Sequence, residues 1–200
     1  MSLVSDIDPS EYRQPDHPVD SVFVWRWSPR AMSGEPISAE QLMTVFEAAR
    51  WAPSSYNEQP WRFLYARRGT KHWPTFFSLL VEANQAWAQN AAVLVVIVSG
   101  TTFTNGGGPN RVHTFDAGSA WENLALQGTL IGLVVHGMAG FDYERARRDL
   151  GVPDDFEVEA MVAIGKPGRT EDLPEAVRAL ETPSGRKPLS QVVCEGPFKF

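Results

Sequence analysis

The sequence predicts an α+β (mixed α/β) domain of three layers, and three observations predict it. Apolar residues recur at helical spacing behind a capping box at Ser38. Two apolar, β-branched runs, Ala91 to Val98 and Glu157 to Gly165, read as strands. These helical and strand-like segments interleave along the chain rather than segregating into halves. The 200-residue chain is one domain by length. A hydrophobic share of 43%, a charged share of 21%, 11 Phe and 7 Trp supply a sizeable core and exclude wholesale disorder.

Residues 1–20 are rich in Pro and Asp and lack periodicity, which predicts an arm outside a single domain spanning 21–200. Ser38 with Gln41 three residues on forms the capping box, and Ile37 and Leu42 stand at the staple positions. Leu42, Val45, Phe46 and Ala49 then repeat at i, i+3, i+4, i+7, so a helix of about 13 residues is expected, ending before Pro53. The polar stretch Pro53 to Pro60 is a loop that leads into a strand at Trp61 to Tyr65. A second helix is expected over Pro74 to Ala88, a buried strand over 91–98 and a flexible loop at Gly106 to Gly108. From Asp116 to about Gly132 a long helix carries Ala117, Gly118, Ala120, Ala125 and Gly128, small residues that permit close approach by another backbone or a flat ligand. Leu133 to Met138 reads as a short strand, Asp142 caps a helix that runs to Leu150 and stops at Gly151 and Pro153, and 157–165 is a further strand. A short helix near Pro174 to Leu180 precedes a tail, 184–200, whose Leu189, Val192, Val193, Phe198 and Phe200 predict docking rather than floating. Four or five strands are expected in all.

Charge and composition exclude several functions. Lys and Arg number 18 against 24 Asp and Glu, a formal charge of −6 that opposes polyphosphate backbones and excludes nucleic acid as a partner. The longest apolar run, 91–98, is far short of the ~20 residues of a membrane-spanning helix. Asp6, Asp8 and Glu11 near the amino terminus do not resemble a secretory signal, so a soluble, cytoplasmic protein is expected. Cys194 is the sole cysteine and can make neither an intramolecular disulfide nor a thiolate metal site. His17, His72, His113 and His136 lack ligand spacing, and no metal is expected. Gly165-Lys166 fails as a phosphate loop because Ala160 and Pro167 occupy required positions, and no Gly-x-Gly-x-x-Gly or Gly-x-Ser-x-Gly occurs.

What remains is polar loops and arginines, the means by which a protein grips a cofactor that carries the chemistry itself. In Arg26-Trp27-Ser28-Pro29-Arg30 the two arginines lie on one face if the segment is a helical turn, and a guanidinium fork suits a phosphate. Arg-x-Ser-x-Arg, followed by a capped helix ending in Glu-Ala-Ala-Arg-Trp-Ala-Pro-Ser-Ser-Tyr-Asn-Glu-Gln-Pro-Trp-Arg-Phe, resembles the opening of the FMN-dependent nitroreductase family. Ala139-Gly140-Phe141-Asp142 resembles that family's flavin-facing turn, Val162 to Gly165 its last core strand, and Arg186-Lys187-Pro188 its C-terminal basic pair. The likeness covers about 21–195. One departure is that Gly137-Met138-Ala139-Gly140 stands where some members carry Pro-Ile-Glu-Gly, so the acidic group is missing.

The resemblance implies a mainly antiparallel sheet flanked by helices and an intertwined homodimer with FMN at the subunit interface. It also implies an oxidoreductase in which NADH or NADPH and then a nitroaromatic, quinone or similar small-molecule acceptor use the flavin in turn. Arg26, Arg186 and Lys187 would hold the phosphate, and Trp27 and Ser28 would contact ring or ribityl by side chain or backbone. Arg30 would face the pyrimidine end. Pro53, Ser54, Ser55 and Asn57 would serve the neighbouring subunit, with Gln59 positioning their loop. Met138, Ala139 and Gly140 would form the turn below the flavin, with the Gly140 N–H near N5. No side chain is implied as nucleophile or proton donor. The alternatives are a non-catalytic flavin-binding protein for storage or sensing, and an interaction module without cofactor.

Overall fold

The computed structural model describes residues 5–200; of the arm expected over 1–20, residues 1–4 lie outside the described residues. Four strands, β1 (Trp61–Arg67), β2 (Val93–Gly100), β3 (Val134–Met138) and β4 (Phe156–Gly165), form one sheet in the order β1-β2-β4-β3, every neighbouring pair antiparallel. The helices are α1 (Ser21–Trp25), α2 (Ala39–Arg50), α3 (Trp73–Leu79), α4 (Glu82–Ala88), α5 (His113–Leu130), α6 (Tyr143–Leu150) and α7 (Glu175–Arg178). Among the described residues no helix is long and apolar enough to cross a membrane, and no group of His, Cys, Asp and Glu is placed to hold a metal.

Alternation along β2 sorts the interior into two cores. Val93, Val95 and Ile97 pack with Leu42, Val45 and Ala49 of α2 and Ala120 and Leu124 of α5. Leu94, Val96 and Val98 pack with Phe76 and Leu79 of α3, Trp87 of α4 and Ala146 of α6. Helices thus cover both faces, which is why the run 91–98 is apolar without interruption. The capping box forms as the sequence predicts: Ser38 Oγ accepts from Gln41 N and Gln41 Oε1 from Ser38 N, both at 3.0 Å.

Several expectations are corrected. The helix expected over 74–88 is two helices, because Leu80 and Val81 turn extended to meet the chain at 140–142: Val81 N donates to Gly140 O (3.1 Å) and Asp142 N to Leu79 O (2.9 Å). A tertiary pairing outweighs local helix propensity there. The long helix begins at His113, three residues early, and ends at Leu130. The C-terminal helix is shorter than 174–180, covering only Glu175–Arg178. The helix α1 has no periodic signal in the sequence, being a five-residue turn capped by Asp20. It ends at Arg26, whose backbone is extended, so Arg26 and Arg30 do not share a helical turn. The arm from Ser5 onward wraps the domain: Asp6 accepts from Thr170 Oγ1 (2.9 Å), and Arg13 reaches the carbonyls of Val24, Arg26 and Ser184. Residues 185–200 are exposed on this chain.

Of the small residues on α5, Gly128 is required by the contact with β3. A Cβ there would stand 2.3 Å from Cγ2 of Val135. Gly128→Ala is expected to lower stability by up to about 2 kcal/mol, the overpacking cost of about 1–3 kcal/mol less the ~1 kcal/mol gained in helix propensity. Adding Val135→Ala should recover part of that loss. Urea unfolding of the single and double variants measures both.

Candidate functional site

Two cavities flank the segment that follows α1. The first, of about 360 Å³, lies between α5 and the ends of β3 and β4; Ser28, Thr114, Gly118, Trp121, Gly137, Met138, Ala139, Glu159 and Ala160 are among its walls. Gly137 lets the Trp121 ring lie flat against the strand, since a Cβ there would stand 3.1 Å from the ring, and Gly118 opens onto free space. The result is a slot bordered by an indole and small residues, suited to a planar ligand.

The second cavity, of about 480 Å³, is lined by Tyr12, Arg13, His17, Phe23, Val24, Arg186 and Lys187 among others. Arg13 is half-buried there, and burial, then Arg186, then Arg26, hold its guanidinium down to about 10. Burial is the larger cause of that depression, and the smaller contributions of Arg186 and Arg26 place two further guanidinium groups within electrostatic reach of Arg13. Arg26 is anchored by Nε to Glu122 at 3.3 Å, one residue from Trp121 on α5, so the cationic cluster and the planar slot meet at the same helix.

Two irregular segments border the planar slot that α5 and the sheet otherwise build, and each is tied down by side chains that satisfy its backbone. The chain at 29–31 is held from two sides. Glu181, its carboxylate fully buried, accepts from the N–H groups of Arg30 (2.8 and 2.9 Å) and Ala31 (2.9 Å); burial raises its pKa, and these bonds oppose the rise. On the other side His136 Nδ1 lies 2.9 Å from the Pro29 carbonyl, which can only accept, so Nδ1 carries the proton; Trp87 covers the ring at 4.5 Å. The turn at 139–140 is held by its carbonyl: Gly140 O accepts from Val81 N and from Asn84 Nδ2 (3.0 Å), while among the described residues no acceptor takes the Gly140 N–H.

The sequence-predicted residues fall into groups. Ser28, Met138 and Ala139 share the planar slot, with Gly140 next along the chain. Arg26 lies within electrostatic reach of the cluster containing Arg186, and Lys187 lines the same cavity. The side chain of Trp27 is buried in the core with its Nε1 unpartnered, and Trp27 lines neither cavity. Arg30 departs from the expectation: its guanidinium bonds to Leu180 O (3.0 Å) and lies 3.8 Å from Glu181, outside both linings. Pro53, Ser54, Ser55, Asn57 and Gln59 line neither cavity of this chain. Their loop is strained, with Tyr56, Asn57 and Gln59 all at φ near +50° (52°, 56° and 51°), at on the order of 1 kcal/mol each. Gln59 ties it internally, its Nε2 donating to Asn57 O (2.9 Å), and Ser55 N donates to Asp116 Oδ2 (3.1 Å).

The profile of the nitroreductase family matches residues 23–72 and 66–166. The chain belongs to the nitroreductase family. A crystal structure of an oxidoreductase containing FMN is 47% identical, with a TM-score of 0.90, over 94% of this chain and 96% of that one. A structure in complex with FMN from Desulfovibrio desulfuricans is 25% identical, with a TM-score of 0.71, over 92% and 100%. An NADH dehydrogenase from Thermus thermophilus is 28% identical over 84% of this chain and 91% of its own length.

Within this nitroreductase-family chain, sequence reasoning missed Arg13, Asn84, Thr114, Trp121, His136 and Glu159. Only Glu159 left a signal, as a charge interrupting the apolar run of β4. Burial holds His136 at about 4, below its usual 6.5, with Arg30 and Arg26 lowering it further and the Pro29 and Ser28 carbonyls opposing. The folded state therefore keeps the ring neutral where the unfolded chain binds a proton. Its contribution is whole above pH 6.5 and is lost as pH falls towards 4, by up to about 3 kcal/mol. His136→Phe should lose stability at pH 7 and lose less of its remaining stability on acidification, a difference read from urea midpoints of both proteins between pH 7 and 4.5.

Proposed function

We propose that this protein is an FMN-dependent oxidoreductase that uses NADH or NADPH to reduce electron-poor, planar acceptors such as nitroaromatics and quinones. The observation that carries the reading is the conjunction of a slot for a planar group with a neighbouring cluster of three arginines. A flavin mononucleotide is a planar ring joined to a phosphate, and the residues present fit both parts. The chemistry supplied once FMN is bound is two-electron transfer, hydride in from the nicotinamide and hydride out to the acceptor. The FMN in the 47%-identical structure and the NADH in the name of the Thermus relative support the same assignment.

The chain's own residues bind and orient. Arg26 and Arg186, with Lys187, grip the phosphate, and Arg13 adds positive potential while its donors stay on backbone carbonyls. Ser28, the backbone of Trp27 and the 138–140 turn hold the ring, and the unengaged Gly140 N–H is free to donate to a ring nitrogen. Trp121 and Met138 exclude water from one side of the slot. Arg30, spent on Leu180 and Glu181, acts by fixing the loop.

The working unit is a homodimer in which the loop 53–57 serves the partner subunit's cavity. The strained, outward loop supports this, as do the large apolar side chains left to solvent on this chain, Tyr56 (92% exposed), Phe115 (76%) and the tail residues Phe198 (83%) and Val193 (64%). The tail docks on the partner.

Arg26→Ala is expected to weaken FMN binding about 10- to 100-fold and riboflavin binding little, because only FMN presents the phosphate. Fluorescence titration with both flavins measures this, and equal losses would remove Arg26 from the phosphate site. Sedimentation velocity should give a dimer that retains flavin; a flavin-bearing monomer would contradict the shared site. Bleaching of the bound flavin by NADH or NADPH and its return on adding 4-nitrobenzyl alcohol separates a turning-over enzyme from a flavin store.

A further inference from the structure

The slot has one acidic wall, and a fault in the sheet builds it. Along β4 the side chains of Met161 and Ala163 enter the core under α3 and α6, and those of Val162 and Ile164 the core under α2 and α5. Unbroken alternation would send Glu159 into the same apolar core as Met161. Instead the register slips: Ile97 faces Ala160, Val98 faces Val158, and Glu159 is the extra residue of a β-bulge. Val158 takes the place beside Met161, and Glu159 turns out beside Ala160, towards the first turn of α5.

There the carboxylate is fixed by one of its two oxygens. Ser99 Oγ and Thr114 Oγ1 (3.1 Å) both donate to Oε1, and His113 Nδ1 lies 3.3 Å from the same atom and 2.7 Å from Ser99 Oγ. An ionised Oε1 only accepts, so the single Ser99 proton goes to it and the Ser99 lone pair faces His113 Nδ1–H. Ser99 is fully buried, which makes this a built support rather than a surface contact. Among the described residues nothing donates to Oε2, and Glu159 lines the cavity with its side chain 15% exposed.

We propose that Glu159 is a specificity-determining residue of the acceptor site: its Oε2 receives a hydrogen-bond donor or cationic substituent of the planar acceptor, and its charge turns away acids. Ser99, Thr114 and His113 are positioning residues, which hold Oε1 so that Oε2 keeps one direction. The inference rests on the reading of this slot as the place where the acceptor meets the flavin. The acid at 159 also gives the cavity the carboxylate that the turn at 137–140 lacks, on a different wall and with a different task.

Three matched probes test it: 4-nitrobenzylamine, a cation at neutral pH; 4-nitrobenzyl alcohol, a neutral donor; and 4-nitrobenzoate, an anion. The flavin-loaded protein should prefer the amine to the acid by about 10- to 100-fold in kcat/KM, chiefly through KM, as a charge-assisted bond predicts. Glu159→Gln should collapse the preference to within a few-fold, a ratio between probes that any common change in flavin binding or flavin reduction leaves unmoved. Glu159→Asp should keep its sign. Calorimetric titration with 4-methylbenzylamine and 4-methylbenzoate reads the same preference without turnover, so it decides the matter even if no nitro compound is reduced. Loss of reduction with all three probes in the unaltered protein would count against the oxidoreductase reading. An unchanged amine-to-acid ratio in Glu159→Gln, by kinetics or by calorimetry, would overturn the role of Glu159.

Discussion

An irregular backbone can be buried only where something satisfies its N–H and C=O groups, and two irregular segments border this protein's candidate site. The segments 26–31 and 139–142 have no ladder of their own to supply partners. The carboxylate of Glu181, the ring of His136, the amide of Asn84 and the opened helix at Leu80 and Val81 supply them instead. Removing any one leaves a polar group in an apolar interior, at a cost of about 1–3 kcal/mol and with a loose site as the consequence.

The same constraint explains the distribution of charge. A protein with a net charge of −6 nevertheless gathers Arg13, Arg26 and Arg186, and it keeps them together by spending the Arg13 donors on carbonyls and anchoring Arg26 to Glu122. Repulsion among the three is the cost of gathering them, one that the phosphate of the proposed flavin would offset. Glu159 is the counterpart at the other end: one acid, held by one oxygen, beside a slot whose other walls are largely apolar. The two ends can discriminate a ligand by charge as well as by shape.

Strain and exposure point in the same direction as the cavities. The loop at 55–59 holds three non-glycine residues in the left-handed region, and it does so on the outside of this chain, with the Tyr56 ring edge-on to Phe103. Hydrogen bonds with Ser54, Asp116 and Thr104 tie the loop to its own chain, while the Tyr56 ring stays in solvent. The exposed tail likewise leaves apolar side chains in solvent.

By itself the sequence determined what local rules govern. Helix α2 and its capping box, the doubly buried strands β2 and β4, the cap of α6 at Asp142 and its stop at Gly151 all follow from periodicity and capping within a short window. The Arg-x-Ser-x-Arg and Pro-Ser-Ser-Tyr-Asn-Glu-Gln-Pro blocks likewise pointed to the family, because each is a contiguous run legible without the fold. Tertiary structure alone decided the rest. The break between α3 and α4 depends on a chain segment some 60 residues away, the entry of Arg13 into the cationic cluster depends on how the arm wraps, and Arg30 is diverted by a carboxylate at 181. The face taken by Glu159 depends on a one-residue slip in register against β2, which inverts what alternation along its own strand would have said. Long-range pairing settles such choices because each balances a small local preference against a buried hydrogen bond, and only the folded chain shows which bond is there to be made.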